Sequence, residues 1–226
     1  MNSRTSKSNQ DLQFATNAAA RCPVALVLDN STSMSGAPIQ QLNEGLRLFI
    51  EQVQKDEIAN FAVELICITF GSVPEISLPF TNISDIQAAP PLSTSGCTSM
   101  GAAITLALQQ LEERKAALKK SGIPYYQPWL VLMTDGAPTD SVQEATRRVH
   151  KLSGEGKLAF FGIGVGDSVN MQILAGICPP NRPPRLLKDL DFRGFFEWLS
   201  RSISTVSRSA PGQQIQLPPA SGWDSV

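Results

Sequence analysis

The feature that most constrains this chain is the recurrence of short, nearly uninterrupted apolar runs, separated by stretches whose apolar residues repeat at helical spacing. Val24 to Leu28 is one such run and stops at Asp29. Trp129 to Met133 is another, ending in Thr134, Asp135 and Gly136, and Leu158 to Val165 closes on alternating glycines. Phe61 to Phe70 is rich in β-branched and aromatic residues. A strand that is apolar at every position must be covered on both faces, the situation of a parallel strand in an α/β sheet. Between the runs the period moves from near 2 to near 3.6. Ile39, Leu42, Leu46, Phe49, Ile50 and Val53 line one helical face, and Met100, Ala103, Ile104, Ala107, Leu108 and Leu111 a second. Val142, Ala145, Val149 and Leu152 make a third. A fourth, with Asp191 as its N-cap, carries Phe192, Phe195, Phe196, Leu199, Ile203 and Val206. This alternation predicts an open, mostly parallel, doubly wound sheet. Val73 to Phe80 breaks it: only Gly71 and Ser72 separate it from the preceding run, so it is expected to form a hairpin and one antiparallel edge strand.

The 226 residues are expected to form one domain over 14–206, after a poorly ordered N-terminal segment (1–13) and before a Pro/Ser-rich tail (207–226) that is either disordered or laid over the surface. A net charge of -1 provides no basic field, which argues against nucleic acid and anionic membrane as partners. The stretch before Cys22 holds neither a signal-peptide core nor an apolar span, so a cytoplasmic location is expected. Cys22, Cys67, Cys97 and Cys178 lack Cys-x-x-Cys spacing and read as reduced thiols. A single histidine, His150, excludes a His-rich zinc site.

Three polar segments stand out. Asp29, Ser31 and Ser33 lie directly after the first apolar run, Thr98 lies just before the second helix, and Asp135 follows another run. In open α/β sheets ligands bind beyond the carboxyl ends of strands, where the strand order reverses. Hydroxyl and carboxylate oxygens are hard donors, and a set with few formal charges suits Mg²⁺, with Mn²⁺ or Ca²⁺ as alternatives. Each piece also has a plainer reading. Asp29 to Ser33 could simply cap the next helix, Thr98 could be a cap or turn residue, and Asp135-Gly136 an ordinary turn pair. Gly162, Gly164 and Gly166 suggest part of a dinucleotide fingerprint, but they read better as close packing at a strand end, with no suitably spaced helix following. Cys97 reads as a structural thiol, and Glu112-Glu113-Arg114-Lys115 as a solvated helix face.

Taken together, the Asp-x-Ser-x-Ser loop, the later threonine and the Thr-Asp-Gly at a strand end resemble the metal-ion-dependent adhesion site of von Willebrand factor A domains, over about residues 22–206. The resemblance implies a Rossmann-like fold, with Ser31, Ser33 and Thr98 as direct ligands of a divalent cation and Asp29 and Asp135 in the surrounding hydrogen-bonded shell. It also implies a non-enzymatic module that captures an Asp or Glu of a protein partner through the ion. The flanks from Phe14 through Arg21-Cys22-Pro23, and at Leu217-Pro218-Pro219 and Gly222-Trp223, are similar to bacterial A-domain proteins of the TerY type. That narrower likeness implies a role in tellurium resistance or stress response beside an operon-linked kinase or phosphatase. Where many relatives have Asp-x-Ser-Gly-Ser and Gly-Gly-Thr, this chain has Thr32 and Cys97 at non-ligand positions, which bears on loop geometry rather than on ligand identity. The competing expectation is a metal-dependent phosphohydrolase using Asp140 or Asp167, although no Walker-type segment or Gly-x-Ser-x-Gly elbow is present. A third expectation makes the ion a loop staple with no external ligand.

Overall fold

Strand β1 (Cys22–Asp29) is buried at every position and lies inside a sheet in a computed structural model that describes residues 17, 19–220 and 222–225. The expected N-terminal segment 1–13, and the first residues of the expected domain, lie outside the described residues. In chain order β1 is followed by α1 (Ala37–Gln54), a single turn α2 (Ala59–Ala62), β2 (Val63–Phe70), β3 (Pro74–Asn82), α3 (Met100–Lys120), β4 (Trp129–Thr134) and α4 (Gln143–Gly154). Then come β5 (Ala159–Val165), α5 (Met171–Ile177), β6 (Arg185–Leu187), α6 (Phe192–Ser207) and β7 (Asp224–Ser225). The strand order is β3-β2-β1-β4-β5-β6-β7. β1, β2, β4, β5 and β6 run parallel, and β3 is the antiparallel edge expected from the short hairpin. From β1 the chain moves outward to β2 and then returns to β4 on the other side. The strand order therefore reverses between β1 and β4, and a crevice opens beyond their carboxyl ends.

Alternating residues of the central strands feed two cores. Val24, Leu26 and Leu28 of β1 meet Leu46, Phe49, Phe195 and Phe196 from α1 and α6 on one face. Ala25 and Val27 meet Ile104, Leu108, Val149 and Leu174 from α3, α4 and α5 on the other. Both faces are covered, as the unbroken apolar runs require.

Four local features depart from the sequence pattern. The run from Phe61 does not start as strand: the Asp56 carboxylate accepts from the Ile58 and Ala59 amides at 3.0 and 2.9 Å, winding residues 59–62 into a helical turn and leaving Phe61 51% exposed. α5, β6 and β7 are too short to show a period, and β7 adds a second antiparallel edge by pairing with β6. A helix does follow the glycines, capped by Asn170. The glycines serve close packing: a Cβ on Gly162 would lie 2.4 Å from Cys178 Sγ, and one on Gly164 would lie 2.6 Å from Met171 Sδ. Gly162→Ala is accordingly expected to cost about 1–3 kcal/mol through overpacking, read as a lower urea midpoint with an unchanged m-value. An unchanged midpoint would show that α5 shifts freely off the sheet.

The charge run on α3 is only half solvated: Glu112 and Glu113 are exposed, but its basic half is buried. Arg114 and Lys115 are both buried, and Arg114 donates from Nε and its terminal nitrogen to the two oxygens of Glu64 at 2.7 and 2.6 Å. Glu64 also accepts from Arg21 Nε at 3.1 Å, so two arginines flank one carboxylate inside the fold. Burial lowers the pKa of Arg21, Glu64 raises it, and the neighbouring Arg114 lowers it further. The tail lies across the domain, with Trp223 only 2% exposed and its ring edge-on to Phe195 at 5.0 Å between centroids.

Candidate metal centre

The polar segments sit where the sheet topology puts them. β1 ends at Asp29 and β4 at Thr134, on either side of the crevice where strand order reverses. Asp29 is fully buried at the base. One of its oxygens accepts from the Ser31 amide at 2.8 Å and the other from the Thr134 hydroxyl at 2.6 Å. Above it the Ser31 and Ser33 hydroxyls are 2.9 Å apart, and Ser33 Oγ donates to Asp135 Oδ1 at 2.8 Å. Ser31, Thr98 and Asp135 are buried, whereas Ser33 reaches solvent.

The Thr98 loop is stitched to both neighbours. The Ser95 amide donates to the Asn30 carbonyl at 2.7 Å, and Thr32 donates to the Gly96 carbonyl from its amide at 3.1 Å and its hydroxyl at 3.0 Å. On the other side the Thr139 amide donates to the Thr98 carbonyl at 2.9 Å, and the Thr98 amide to Thr139 Oγ1 at 3.2 Å. Thr98 Oγ1 lies 3.8 Å from where a Cβ on Gly136 would be, over the Asp135 loop. Gly96, at φ 69, is needed for this approach because a Cβ there would come within 2.0 Å of Ser72 Oγ. All five residues singled out in the sequence thus occupy one crevice: four share a hydrogen-bonded chain, and Thr98 flanks it. Thr32 contributes two of the bonds that join the first two loops.

The electrostatics favour a cation. Burial raises the Asp29 pKa above the usual carboxylate range; bonds from Ser31 and Thr134 oppose the rise, and the nearby Asp135 charge adds to it. Asp135 is raised too, again chiefly by burial, with the Ser33 bond opposing. Two carboxylates buried close together beside hydroxyl oxygens form a donor set that a hard divalent ion would stabilise. Among the described residues no three His, Cys, Asp or Glu side chains cluster, so the donors available here are mostly neutral hydroxyls.

Thr134 was not anticipated as part of the site, although it stands beside Asp135 in the motif; its hydroxyl orients Asp29. Asp140 and Asp167 are not part of this chain of bonds. Both Asp140 oxygens accept from the first amides of α3, Gly101 at 2.9 Å and Ala102 at 2.8 Å, so it is a helix cap donated by another loop. Asp167 is exposed at the rim of a cavity of about 440 Å³ that also touches Ser33, Asp135, Lys188 and Asp189. Cys97 is exposed and so does not serve as a packed structural thiol, while His150 Nε2 lies 3.0 Å from the Cys178 carbonyl, far from the crevice in sequence and role.

A family model of the von Willebrand factor type A domain matches residues 24–197. The chain belongs to the von Willebrand factor type A family. Among curated proteins this A domain is 22% identical over 195 residues to inter-alpha-trypsin inhibitor heavy chain H1 of Bos taurus, covering 80% of the chain and 21% of the relative. It is 22% identical over 199 residues to heavy chain H3 of Rattus norvegicus, with the same coverage. The chain thus spans about a fifth of the length of these curated relatives. Among solved structures it is similar to a von Willebrand factor type A protein from Catenulispora acidiphila, with TM-score 0.63, 14% identity, and 83% and 43% of the two chains covered. It is also similar to proximal thread matrix protein 1 from the mussel byssus, solved with a zinc-occupied MIDAS motif, with TM-score 0.56, 15% identity, and 83% and 49% covered. At these identities the structures support the shared fold alone. A domains are generally metal-dependent protein-interaction modules. No helix among the described residues is long and apolar enough to cross a membrane.

Proposed function

We propose that this A domain is a non-catalytic interaction module that binds a divalent cation, Mg²⁺ by preference over Mn²⁺ or Ca²⁺, and through it an Asp or Glu of a protein partner. The observation that carries this reading is the Ser31–Ser33–Asp135 chain of oxygens above buried Asp29 at the crevice where strand order reverses. Adjacent ligands of octahedral Mg²⁺, each at about 2.0–2.1 Å, are about 2.8–3.0 Å apart. The Ser31 and Ser33 hydroxyls, at 2.9 Å, suit that spacing. Ser31, Ser33 and Thr98 would hold the ion, with Asp29 and Asp135 accepting from its surroundings. A bound cation supplies a positive charge that attracts a carboxylate, and the exposed position of Ser33 beside a cavity of about 440 Å³ leaves room for one to approach. The zinc-occupied motif of the mussel protein supports divalent-cation chemistry at this fold position.

Hydrolysis of a phosphoester is the weaker reading: of the two carboxylates nominated for it, Asp140 has both oxygens committed to the α3 amides, and Asp167 stands exposed at the cavity rim, outside the chain of bonds around Asp29. The narrower part of the proposal places the module in the cytoplasm, as a scaffold or regulator in a bacterial stress or tellurium-resistance system beside an operon-linked kinase or phosphatase. That part rests on the flanking sequence alone.

The test is a cation titration by calorimetry and thermal shift, followed by partner capture with and without chelator. Wild type is expected to be stabilised by Mg²⁺, by about 2.7 kcal/mol at a hundredfold excess over Kd, and Ser31→Ala to lose that gain. Equal stabilisation of the variant, or none of wild type at millimolar cation, would sink the metal site. Stabilisation without cation-dependent capture of any acidic partner would leave the ion as a loop staple.

A further inference from the structure

At the end of the sheet opposite the crevice, where β4 and β5 begin, a cavity of about 470 Å³ opens between Trp129, Arg182 and the tail residues Gln213, Gln214 and Leu217. Its volume lies in the range of small-molecule sites, about 300–1,000 Å³. No aspartate or glutamate lines it. Its one formal charge is Arg182, whose guanidinium carbon lies 4.4 Å from the centre of the Phe161 ring. Arg21 and Arg114, which are more deeply buried, share the Glu64 carboxylate. Arg182 is half-buried and has no carboxylate partner among the described residues; burial, with nothing to offset it, pulls its pKa down. Stacking on an aromatic face offsets part of the lost hydration and leaves the in-plane N–H donors of the guanidinium to water, with no carboxylate of the described residues to accept them. The group that satisfies a planar fork of donors is a carboxylate, held by two parallel hydrogen bonds. The rest of the lining is mixed: Trp129, itself 4.7 Å from Phe161 between centroids, and Leu217 supply apolar surface, and Gln127, Gln213 and Gln214 supply neutral polar groups.

We propose that this cavity is a second binding site, for a small organic carboxylate whose head pairs with the Arg182 guanidinium and whose apolar body lies against Trp129 and Leu217. The site is independent of the cation crevice, because it uses none of that crevice's residues and lies at the other end of the strands. The tail closes one wall, so an occupant also holds the tail to the domain.

The probe is benzoate, titrated into the full chain in the presence of EDTA so that no cation can recruit the carboxylate at the crevice. The readout is the three tryptophan indole N–H resonances. The Trp129 resonance is expected to move along a saturable curve while that of Trp223, outside the cavity, stays in place. Arg182→Met, which keeps an unbranched apolar stem over Phe161, is expected to weaken binding by about tenfold to a hundredfold. Benzyl alcohol, with the same ring and no charge, is expected not to saturate. A motionless Trp129 resonance, benzyl alcohol binding as tightly as benzoate, or unchanged affinity in Arg182→Met would overturn the proposal. The comparison of the two probes is made on wild type and does not depend on how the variant folds.

Discussion

Glu64→Gln is expected to destabilise this A domain by about 3–5 kcal/mol, the cost of leaving buried charge without its counter-charge. Arg21 and Arg114 are 2% and 5% exposed, and both direct guanidinium donors at the two Glu64 oxygens. Glutamine keeps the shape but removes the negative charge and replaces one acceptor with a donor that faces other donors. With about 2–4 °C per kcal/mol for a domain of this size, the melting temperature should fall by about 6–20 °C. The effect should also be non-additive. Arg114→Met in the Glu64→Gln background is expected to cost less than the sum of the two single changes, because one stranded cation is removed along with its lost partner. Arg114 is also held 5.8 Å over the Phe80 ring, so the methionine retains part of its packing. Strict additivity, or a melting temperature within 2 °C of wild type by the same scaling, would mean that water reaches the triad and screens it.

Trp223→Ala is expected to be similarly damaging, at about 3–5 kcal/mol, because it empties a large aromatic volume from a packed cluster. Trp223 sits edge-on to Phe195 and 5.4 Å from Trp198, and its carbonyl accepts from the Lys188 amide at 2.8 Å. Among the described residues the strand in the tail is β7, two residues long, with the Arg185–Asp224 ion pair at its edge. The ring is therefore a major anchor of the tail, beside buried Ala220, the packed Ile215 and Leu217, and the Tyr126 hydroxyl that donates to the Ser207 and Ser209 carbonyls. Its loss should appear as faster proteolysis between Ser209 and Gly222, faster amide exchange at Lys188, and a lower denaturation midpoint as Phe195 and Trp198 meet water. Trp223→Phe should fall between wild type and alanine. A tail equally resistant to protease in Trp223→Ala would show that Trp198 Nε1, which donates to the Pro218 carbonyl at 2.9 Å, and the neighbouring contacts hold it instead.

Much of the architecture was legible because burial on both faces leaves a strong mark. β1, β4 and β5 had to be apolar over most of their length, and α1, α3 and α6 had to carry a helical stripe, so the mostly parallel sheet followed from period, whereas the strand order came from the structure. The short elements left no such mark. α5 has seven residues and β6 has three, and each depends on a partner strand or a single cap for its existence. At the start of β2, the local capping bonds of Asp56 outweighed the strand preference of Phe61. The candidate site was legible as residue types at strand ends, since Asp29, Ser31, Ser33, Thr98 and Asp135 each follow an apolar run or precede a helix. The supporting hydroxyl of Thr134 and the committed role of Asp140 were not, because hydrogen-bond partners a hundred or forty residues away have no local signature.

The same distinction separates what the sequence by itself determined from what tertiary structure decided. Periodicity and composition are sums over neighbours in the chain, and they set the sheet, its two covers and the oxygen-rich loops. Whether a charged residue meets solvent or a counter-charge depends on contacts between distant segments. Glu112-Glu113-Arg114-Lys115 looks like a solvated face, yet the structure buries Arg114 against Glu64; Trp223 looks like a lone aromatic in a tail, yet it belongs to the core. In each case the free energy of a side chain is fixed by what packs over it, and no stretch of local sequence carries that information.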